Sequence, residues 1–213
     1  DTPGDQRPVL QASLAEERLK KYPNDFSANF DMGDMLLSKG DAQGAITYFE
    51  RATKANPESV VGATELGVAL SAGSRPGEAE EQFKKALQLD PKYIDARFNL
   101  ASVEAENGEL ETAVADFKLV ILQRSDYPKA QERVGDVLFA WGDQLAKSGD
   151  NEQAVLRYRD ALGYRANDVE LHTSLGAALA RLGHMKEARA ELETAVRINP
   201  DFEPARKILG AIP

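Results

Sequence analysis

The 213-residue sequence contains no cysteine, one tryptophan and only two histidines, His172 and His184. Without cysteine the chain has no disulfide bond, no thiol nucleophile and no thiolate metal ligand. No Ser–His–Asp grouping, metal-spaced cluster or phosphate-binding glycine loop accompanies the two histidines. We therefore expect a non-catalytic chain with no cofactor and no metal site, and we interpret His172 as a core or boundary residue.

Basic residues are also outnumbered, with 26 Lys and Arg against 35 Asp and Glu and a formal net charge of -9. Nucleic acids and anionic membranes bind clustered Lys and Arg, so we expect neither as the main partner. No apolar run approaches the roughly 18 residues of a membrane-spanning helix, so we expect no membrane insertion. The first residue is Asp1 rather than Met, which we interpret as a processed product or a fragment. The sequence leaves the localisation open.

What the sequence does contain is a repeat, first visible in residues 31–57. Each copy carries an apolar–small pair, then a small alanine, an aromatic or leucine and, in most copies, a terminal proline. The pairs are Met32–Gly33, Leu66–Gly67, Leu100–Ala101 and Leu175–Gly176, and the first three are 34 residues apart. A fixed period near this length is typical of a solenoid.

Each copy predicts two amphipathic helices, because its apolar residues recur at three- and four-residue spacing. A glycine inside a helix costs about 1 kcal/mol relative to alanine. The recurrence of Gly33, Gly67 and Gly176 therefore indicates that a neighbouring helix approaches the backbone too closely for a side chain. Glycines such as Gly40 and Gly149 end the first helix, each followed by an aspartate that we expect to cap the second.

The pattern resembles the tetratricopeptide repeat family, a helix–turn–helix unit with a Leu-Gly pair, a small alanine, an aromatic and a terminal proline. The resemblance implies an all-α, right-handed α-solenoid of about five such units, with a lone N-terminal helix and a C-terminal half-repeat. The bulky aromatic that often opens the unit is replaced here, and we expect this corner to pack differently. The replacing residues are Asn29, Ala63, Arg97 and His172.

The repeat boundaries follow from the landmarks and predict one array over residues 9–213. We expect a flexible lead-in at 1–8, a capping helix at 9–22, repeats at about 26–59, 60–93, 94–127, 128–168 and 169–202, and a partial repeat at 203–213.

The fourth repeat is seven residues too long and admits two registers, built on Val134–Gly135 or on Trp141–Gly142. We favour Trp141–Gly142, because Gly149 then stands where the turn glycine belongs. The first helix would run from about Pro128 to Lys147. The insertion either contributes to binding or is tolerated by packing alone.

In the family that the chain resembles, the first helices line a concave groove that holds a peptide or a partner's helix. The resemblance implies the same for this chain, as a protein–protein interaction scaffold. The expected groove residues are Phe30, Asp34, Leu37, Glu65, Val68, Phe98, Asn99, Ser102, Asp136, Phe139 and Arg181. The rings of Phe30, Phe98 and Phe139 with an acidic rim suit a neutral or basic ligand that has apolar anchors. Alternatively, a ring packs against its own neighbouring helix.

Chaperone-binding members of this family hold a C-terminal carboxylate with a Lys, Asn and Arg clamp. The matching positions here include Phe30, Asp34, Thr64 and Val68, so we expect no such clamp. Asn99 alone could hydrogen-bond a peptide backbone. Two other functions stay open: self-association as a homodimer through the terminal repeats, and an accessory domain of a larger protein whose activity lies elsewhere.

Overall fold

A computed structural model describes residues 7–127 and 129–212 of the chain, with side chains from residue 12 onward. Most of the predicted lead-in and Pro128 lie outside the described residues. The described chain contains twelve helices and no strand, and none of these helices is long and apolar enough to cross a membrane.

The helices fall into two compact units, which we call unit 1, ending at Asn107, and unit 2, beginning at Gly108. Unit 1 contains α1 (Arg7–Lys21), α2 (Phe26–Ser38), α3 (Ala42–Ala55), α4 (Val60–Ala72), α5 (Pro76–Leu89) and α6 (Ile94–Glu106). Unit 2 contains α7 (Leu110–Gln123), α8 (Ala130–Ser148), α9 (Asn151–Leu162), α10 (Val169–Arg181), α11 (Met185–Ile198) and α12 (Glu203–Ala211).

Within each unit every helix packs against the next one along the chain. The closest pairs are the two helices of one repeat: α2 with α3 and α4 with α5 in unit 1, and α8 with α9 and α10 with α11 in unit 2. This consecutive packing confirms the predicted fold class, an all-α array of helix–turn–helix units.

The turns between paired helices are built as the glycines and aspartates predict. The four turn glycines, Gly40, Gly108, Gly149 and Gly183, have φ between 80° and 91°, a region where a side chain is disfavoured. The carboxylates of Asp41 and Asp150 accept hydrogen bonds from the backbone N–H of Gly44 (2.9 Å) and Gln153 (3.1 Å). Both aspartates therefore cap the second helix of their repeat.

A large side chain from the second helix lies directly on each helical glycine of the apolar–small pair. A Cβ added to Gly67 would stand 2.5 Å from Cε1 of Phe83, and one added to Gly33 would stand 2.8 Å from Cε1 of Phe49. Leu192 covers Gly176 in the same way, at 2.7 Å. The predicted close approach of helix to backbone is confirmed, and the approaching group is a buried side chain.

The same contact decides the register of the fourth repeat. A Cβ on Gly142 would lie 2.5 Å from Cε1 of Tyr158, the residue that replaces Phe49 and Phe83 in this repeat. Trp141–Gly142 is therefore the equivalent pair, as we favoured. The first helix of this repeat, α8, has 19 residues where α2, α4, α6 and α10 have 13 each.

The corner that lacks the usual aromatic is closed by hydrogen bonds. In four repeats a polar side chain of the first helix contacts the carbonyl oxygen six residues earlier, at the place of the terminal proline. The pairs are Asn29 with Pro23 (2.9 Å), Arg97 with Pro91 (2.8 Å), Gln131 with Ser125 (3.4 Å) and His172 with Ala166 (3.0 Å). Since Gln131 keeps this register at the start of α8 and Gly142 keeps the later one, the insertion amounts to about two additional turns inside one helix.

The contact between Gly67 and Phe83 makes a stability prediction. We expect Gly67→Ala to lower the free energy of unfolding by about 1–3 kcal/mol, because the ring of Phe83 is buried and must move to admit a methyl group. Gly77→Ala, on α5, is the matched control, since nothing lies within 4 Å of its added Cβ. Urea denaturation followed by circular dichroism measures both, and equal effects would contradict the packing argument.

The hydrogen bonds of Asn29 lead to a second stability prediction. Asn29 is fully buried, and its Nδ2 donates to the carbonyl oxygens of Pro23 and Asp25. We expect Asn29→Ala to reduce the free energy of unfolding by about 1–3 kcal/mol, because the carbonyl of Pro23 loses its partner. Asn24→Ala, at an exposed neighbouring position, should leave the urea midpoint unchanged. A wild-type midpoint for Asn29→Ala would show that the corner needs no hydrogen bond.

Candidate partner-binding face

The first helices of unit 1 place eight of the predicted groove residues on three adjacent helices. Helix α4 contacts both α2 and α6, so we expect the predicted residues on these three helices to share one surface. We call this surface the unit 1 face. It consists of Phe30, Asp34 and Leu37 on α2, Glu65 and Val68 on α4, and Phe98, Asn99 and Ser102 on α6.

The floor of the unit 1 face is apolar and partly exposed. Phe30, Leu37 and Val68 are half-buried and pack against one core cluster that includes Phe49 and Phe83. The ring of Phe30 meets Phe49 edge-on, with centroids 5.5 Å apart. Phe30 thus packs against the second helix of its own repeat, as the alternative interpretation of the rings held, while part of its surface stays accessible.

Carboxylates stand around this floor and interact unfavourably with one another. Burial raises the pKa of Glu65, and the negative charges of Asp34 and Asp95 raise it further. The pKa of Asp31, which precedes Asp34 by one helical turn, is also raised by burial and by the charge of Asp34. A carboxylate that is partly desolvated beside like charges is stabilised by an added cation. The unit 1 face therefore favours positive charge.

Helix α6 contributes polar groups to the same face. The side-chain amide of Asn99 is half-buried and forms no hydrogen bond with any other described residue, which leaves a donor and an acceptor accessible. The hydroxyl of Ser102 donates to the carbonyl oxygen of Phe98 in its own helix, at 3.0 Å. Asn99 is thus better placed than Ser102 to contact a ligand.

In unit 2 the predicted residues Asp136 and Phe139 are engaged internally by Arg165, in the turn between α9 and α10. Arg165 Nη1 lies 2.8 Å from Asp136 Oδ1, and its guanidinium carbon lies 5.7 Å from the centre of the Phe139 ring. The aliphatic part of Arg165 also covers Gly135, and its other Nη pairs with Asp168. These contacts hold the additional turns of α8. Sequence reasoning missed Arg165, since no motif distinguishes it.

The remaining predicted residue, Arg181, lines a cavity of about 240 Å³ in unit 2. Tyr158, whose ring covers Gly142, donates from its hydroxyl to Asp143 Oδ1 at 2.7 Å on the cavity wall. Burial and this hydrogen bond raise the pKa of Tyr158 well above its usual range. The other lining residues are Ala146, Lys147, Ser174 and Ala177.

His172 and Trp141 have packing partners, whereas His184 lies at the surface. His172 is buried, as expected, with Nδ1 2.6 Å from Glu191 Oε2. His184 is exposed, and Trp141 is half-buried beneath the guanidinium of Arg157, 4.2 Å from the ring centre. In the described part of the chain no three His, Asp or Glu residues are grouped as metal ligands.

Comparison with known proteins identifies the repeats. A tetratricopeptide repeat family model matches residues 69–132 and 145–212, and a second model of the same description matches residues 8–60. A curated relative is the tetratricopeptide repeat and J domain-containing co-chaperone DNJ1 of Fusarium oxysporum f. sp. lycopersici. It is 23% identical over 89% of this chain and 37% of its own length. The chain spans little more than a third, or less, of the length of each of the first curated relatives that it matches.

Solved structures share the fold. YrrB, described as a TPR protein with an unusual peptide-binding site, aligns with a TM-score of 0.67 and 16% identity, covering 92% of this chain and 98% of YrrB. The first TPR of Spaghetti (RPAP3), bound to an HSP90 peptide, aligns with a TM-score of 0.53 and 19% identity. The alignment covers 55% of this chain and 92% of the Spaghetti chain. At these identities the similarity shows the fold alone.

The raised pKa of Glu65 predicts a pH dependence of stability. A carboxyl with a raised pKa in the folded state binds its proton more tightly there than in the unfolded chain, so folding loses stability as the pH rises through its titration. We expect Glu65→Gln to be more stable than wild type at pH 7 and to lose this advantage below the ordinary pKa of 4.5. Urea titrations across this range measure the difference. Glu58→Gln, at an exposed position, is the control, and a Glu65→Gln advantage independent of pH would contradict the electrostatic cause.

Proposed function

Because the chain belongs to the tetratricopeptide repeat family, we propose that it is a non-catalytic protein-interaction scaffold whose unit 1 face binds a segment of a partner protein. The observation that carries this proposal is the position of Glu65, partly desolvated beside Asp34 and Asp95 on an apolar floor. The repulsion among these carboxylates destabilises the unliganded surface, and a positively charged ligand with apolar side chains would relieve it.

The ligand carries positive charge at its centre. A Lys or Arg side chain beside Glu65 would offset the repulsion from Asp34, and a partly buried pair is screened less by salt than an exposed one. Like charges on one face also reject acidic segments, which gives the surface selectivity as well as affinity. We therefore expect a basic partner segment to be preferred over a neutral one, and an acidic one to be excluded.

The ligand also carries apolar side chains on either side of that charge. Phe30, Leu37 and Val68 are anchored in the core by their buried parts, so they present a rigid apolar surface that loses little conformational freedom on binding. Burying apolar surface stabilises a complex by roughly 25 cal/mol per Å² before these costs. These half-buried side chains thus provide an apolar contact surface, which is compatible with their packing inside the repeat.

The side-chain amide of Asn99 can orient the bound segment through hydrogen bonds to its backbone. It can accept from one backbone N–H and donate to one backbone carbonyl of an extended segment, or pair with an unpaired backbone group at the end of a helix. Two structural neighbours support this function: YrrB is described as having an unusual peptide-binding site, and the first TPR of Spaghetti is bound to an HSP90 peptide.

A second candidate, an accessory domain of a larger protein, is favoured by one observation. The co-chaperone DNJ1 joins tetratricopeptide repeats to a J domain by name, and this chain matches only 37% of it. Reading the complete parent reading frame tests the candidate directly. A frame that ends with these repeats and encodes no further domain would remove it.

Peptide binding tests the main proposal. We expect a labelled, blocked peptide in which Lys alternates with Leu and Phe to bind, and its counterpart with Glu in place of Lys not to bind. The double variant Asp34→Asn with Glu65→Gln should raise Kd for the Lys peptide about tenfold, the equivalent of about 1.4 kcal/mol. Fluorescence anisotropy measures Kd.

The matched control is Glu58→Gln with Glu81→Gln, which removes the same net charge from exposed positions of unit 1. Its Kd should remain close to that of wild type. If both double variants weaken binding equally, the peptide senses net charge and the unit 1 face is not its site.

A further inference from the structure

A cavity in unit 2 differs in charge from the unit 1 face. It opens beside the C-terminal halves of α8 and α10, with Tyr158 of α9 at its base, and has a volume of about 240 Å³. Two alanines, Ala146 and Ala177, line it together with the longer side chains of Lys147 and Arg181. The cavity is therefore a small polar pocket bordered by two cations.

The two cations occupy equivalent places on successive first helices. Lys147 follows Gly142 by five residues, and Arg181 follows Gly176 by five. Neither side chain forms an ion pair with any described residue; Arg181 Nη1 has only a long contact of 3.5 Å to the neutral Oδ1 of Asn151. Basic residues in the last turn interact favourably with a helix dipole, yet the first helices of unit 1, α2, α4 and α6, have none there.

The acidic group of the pocket is already engaged. Asp143 Oδ1 accepts the hydroxyl proton of Tyr158 at 2.7 Å, and the hydroxyl of Ser174 hydrogen-bonds to the same tyrosine. One carboxylate and two cations leave the pocket with a formal charge of +1. A monoanion balances this charge, whereas a dianion would leave the pocket with a net negative charge and would be repelled more strongly by Asp143.

We propose that this pocket binds one carboxylate of a partner protein, held between Lys147 and Arg181, with the free oxygen of Asp143 accepting an N–H from the same ligand. The ammonium of Lys147 and the guanidinium of Arg181 each offer several donors, and charge-assisted bonds of this kind are the stronger class. The inference rests on the proposed scaffold function but uses different residues, charge and ligand chemistry from the unit 1 face.

The pocket residues differ from those at the positions of the carboxylate clamp of chaperone-binding family members. Those positions lie three residues before and one residue after the helical glycine, as Phe30 and Asp34 do around Gly33, and Thr64 and Val68 around Gly67. Lys147 and Arg181 lie at the far ends of their helices. The carboxylate site is therefore a separate feature of unit 2.

Nuclear magnetic resonance on the ¹⁵N-labelled full chain tests the inference with small probes. We expect N-acetylglutamate N-methylamide to shift the signals of α8 and α10 residues around the pocket. Its Kd should be at least about fivefold below that of N-acetylglutamine N-methylamide, the uncharged isostere. Added NaCl should weaken the binding, because the cations are exposed. N-acetylglutamine with a free α-carboxylate distinguishes a chain-terminal source from a side-chain source, the tighter of the two carboxylates identifying which one the pocket prefers.

The variant Lys147→Gln with Arg181→Gln should abolish the shifts. The control Lys186→Gln with Arg206→Gln removes the same charge from exposed positions of unit 2 outside the pocket and should bind as wild type does. Three outcomes would each overturn the proposal. These are equal Kd values for N-acetylglutamate N-methylamide and N-acetylglutamine N-methylamide, unchanged binding by the Lys147→Gln and Arg181→Gln double variant, and tighter binding of inorganic phosphate than of the carboxylate. Because the Lys peptide and the Asp34 and Glu65 variants are read separately, failure here leaves the unit 1 result unaffected, and the reverse also holds.

Discussion

The packing of one large side chain onto one glycine is the contact on which each repeat depends. Phe49, Phe83, Tyr158 and Leu192 from the second helices lie on Gly33, Gly67, Gly142 and Gly176 of the first, at distances that admit no Cβ. Close approach lets the two helices bury their facing alanines completely. Because the packing is dense, a larger side chain at these positions would destabilise the repeat. The outer surface of the first helix is then left free to vary, and that surface carries the candidate sites.

A single hydroxyl at this contact separates the two candidate sites. In unit 1 the covering ring belongs to Phe49, which has no hydroxyl to donate to Asp34, the aspartate that follows the glycine. In unit 2 the covering ring belongs to Tyr158, whose hydroxyl binds Asp143. The acidic character of the unit 1 face includes Asp34, whereas the cationic character of the unit 2 pocket comes from Lys147 and Arg181, each five residues after its glycine.

The additional turns of α8 show how the repeat absorbs an insertion. Two helical turns enter without disturbing either end, because Gln131 keeps the hydrogen bond at the preceding corner and Gly142 keeps its contact with Tyr158. Arg165 then binds Asp136 and covers Phe139. These contacts support the packing interpretation of the insertion, and they occupy two side chains that the sequence predicts to lie in the groove.

The sequence alone determined the class of fold, the helix pairing, the turn glycines and the capping aspartates, since each depends on local spacing and on the backbone preferences of Gly, Pro and Asp. It favoured the register at Gly142, which the contact with Tyr158 then decided. Only the tertiary structure decided which surface residues are available. The pairing of Arg165 with Asp136 depends on side chains that are distant along the chain. The same holds for the half-buried amide of Asn99 and for Lys147 and Arg181, which form no ion pair with any described residue. Repeat periodicity specifies where a side chain stands on its helix, whereas its charge environment arises from neighbouring helices whose outward residues follow no period.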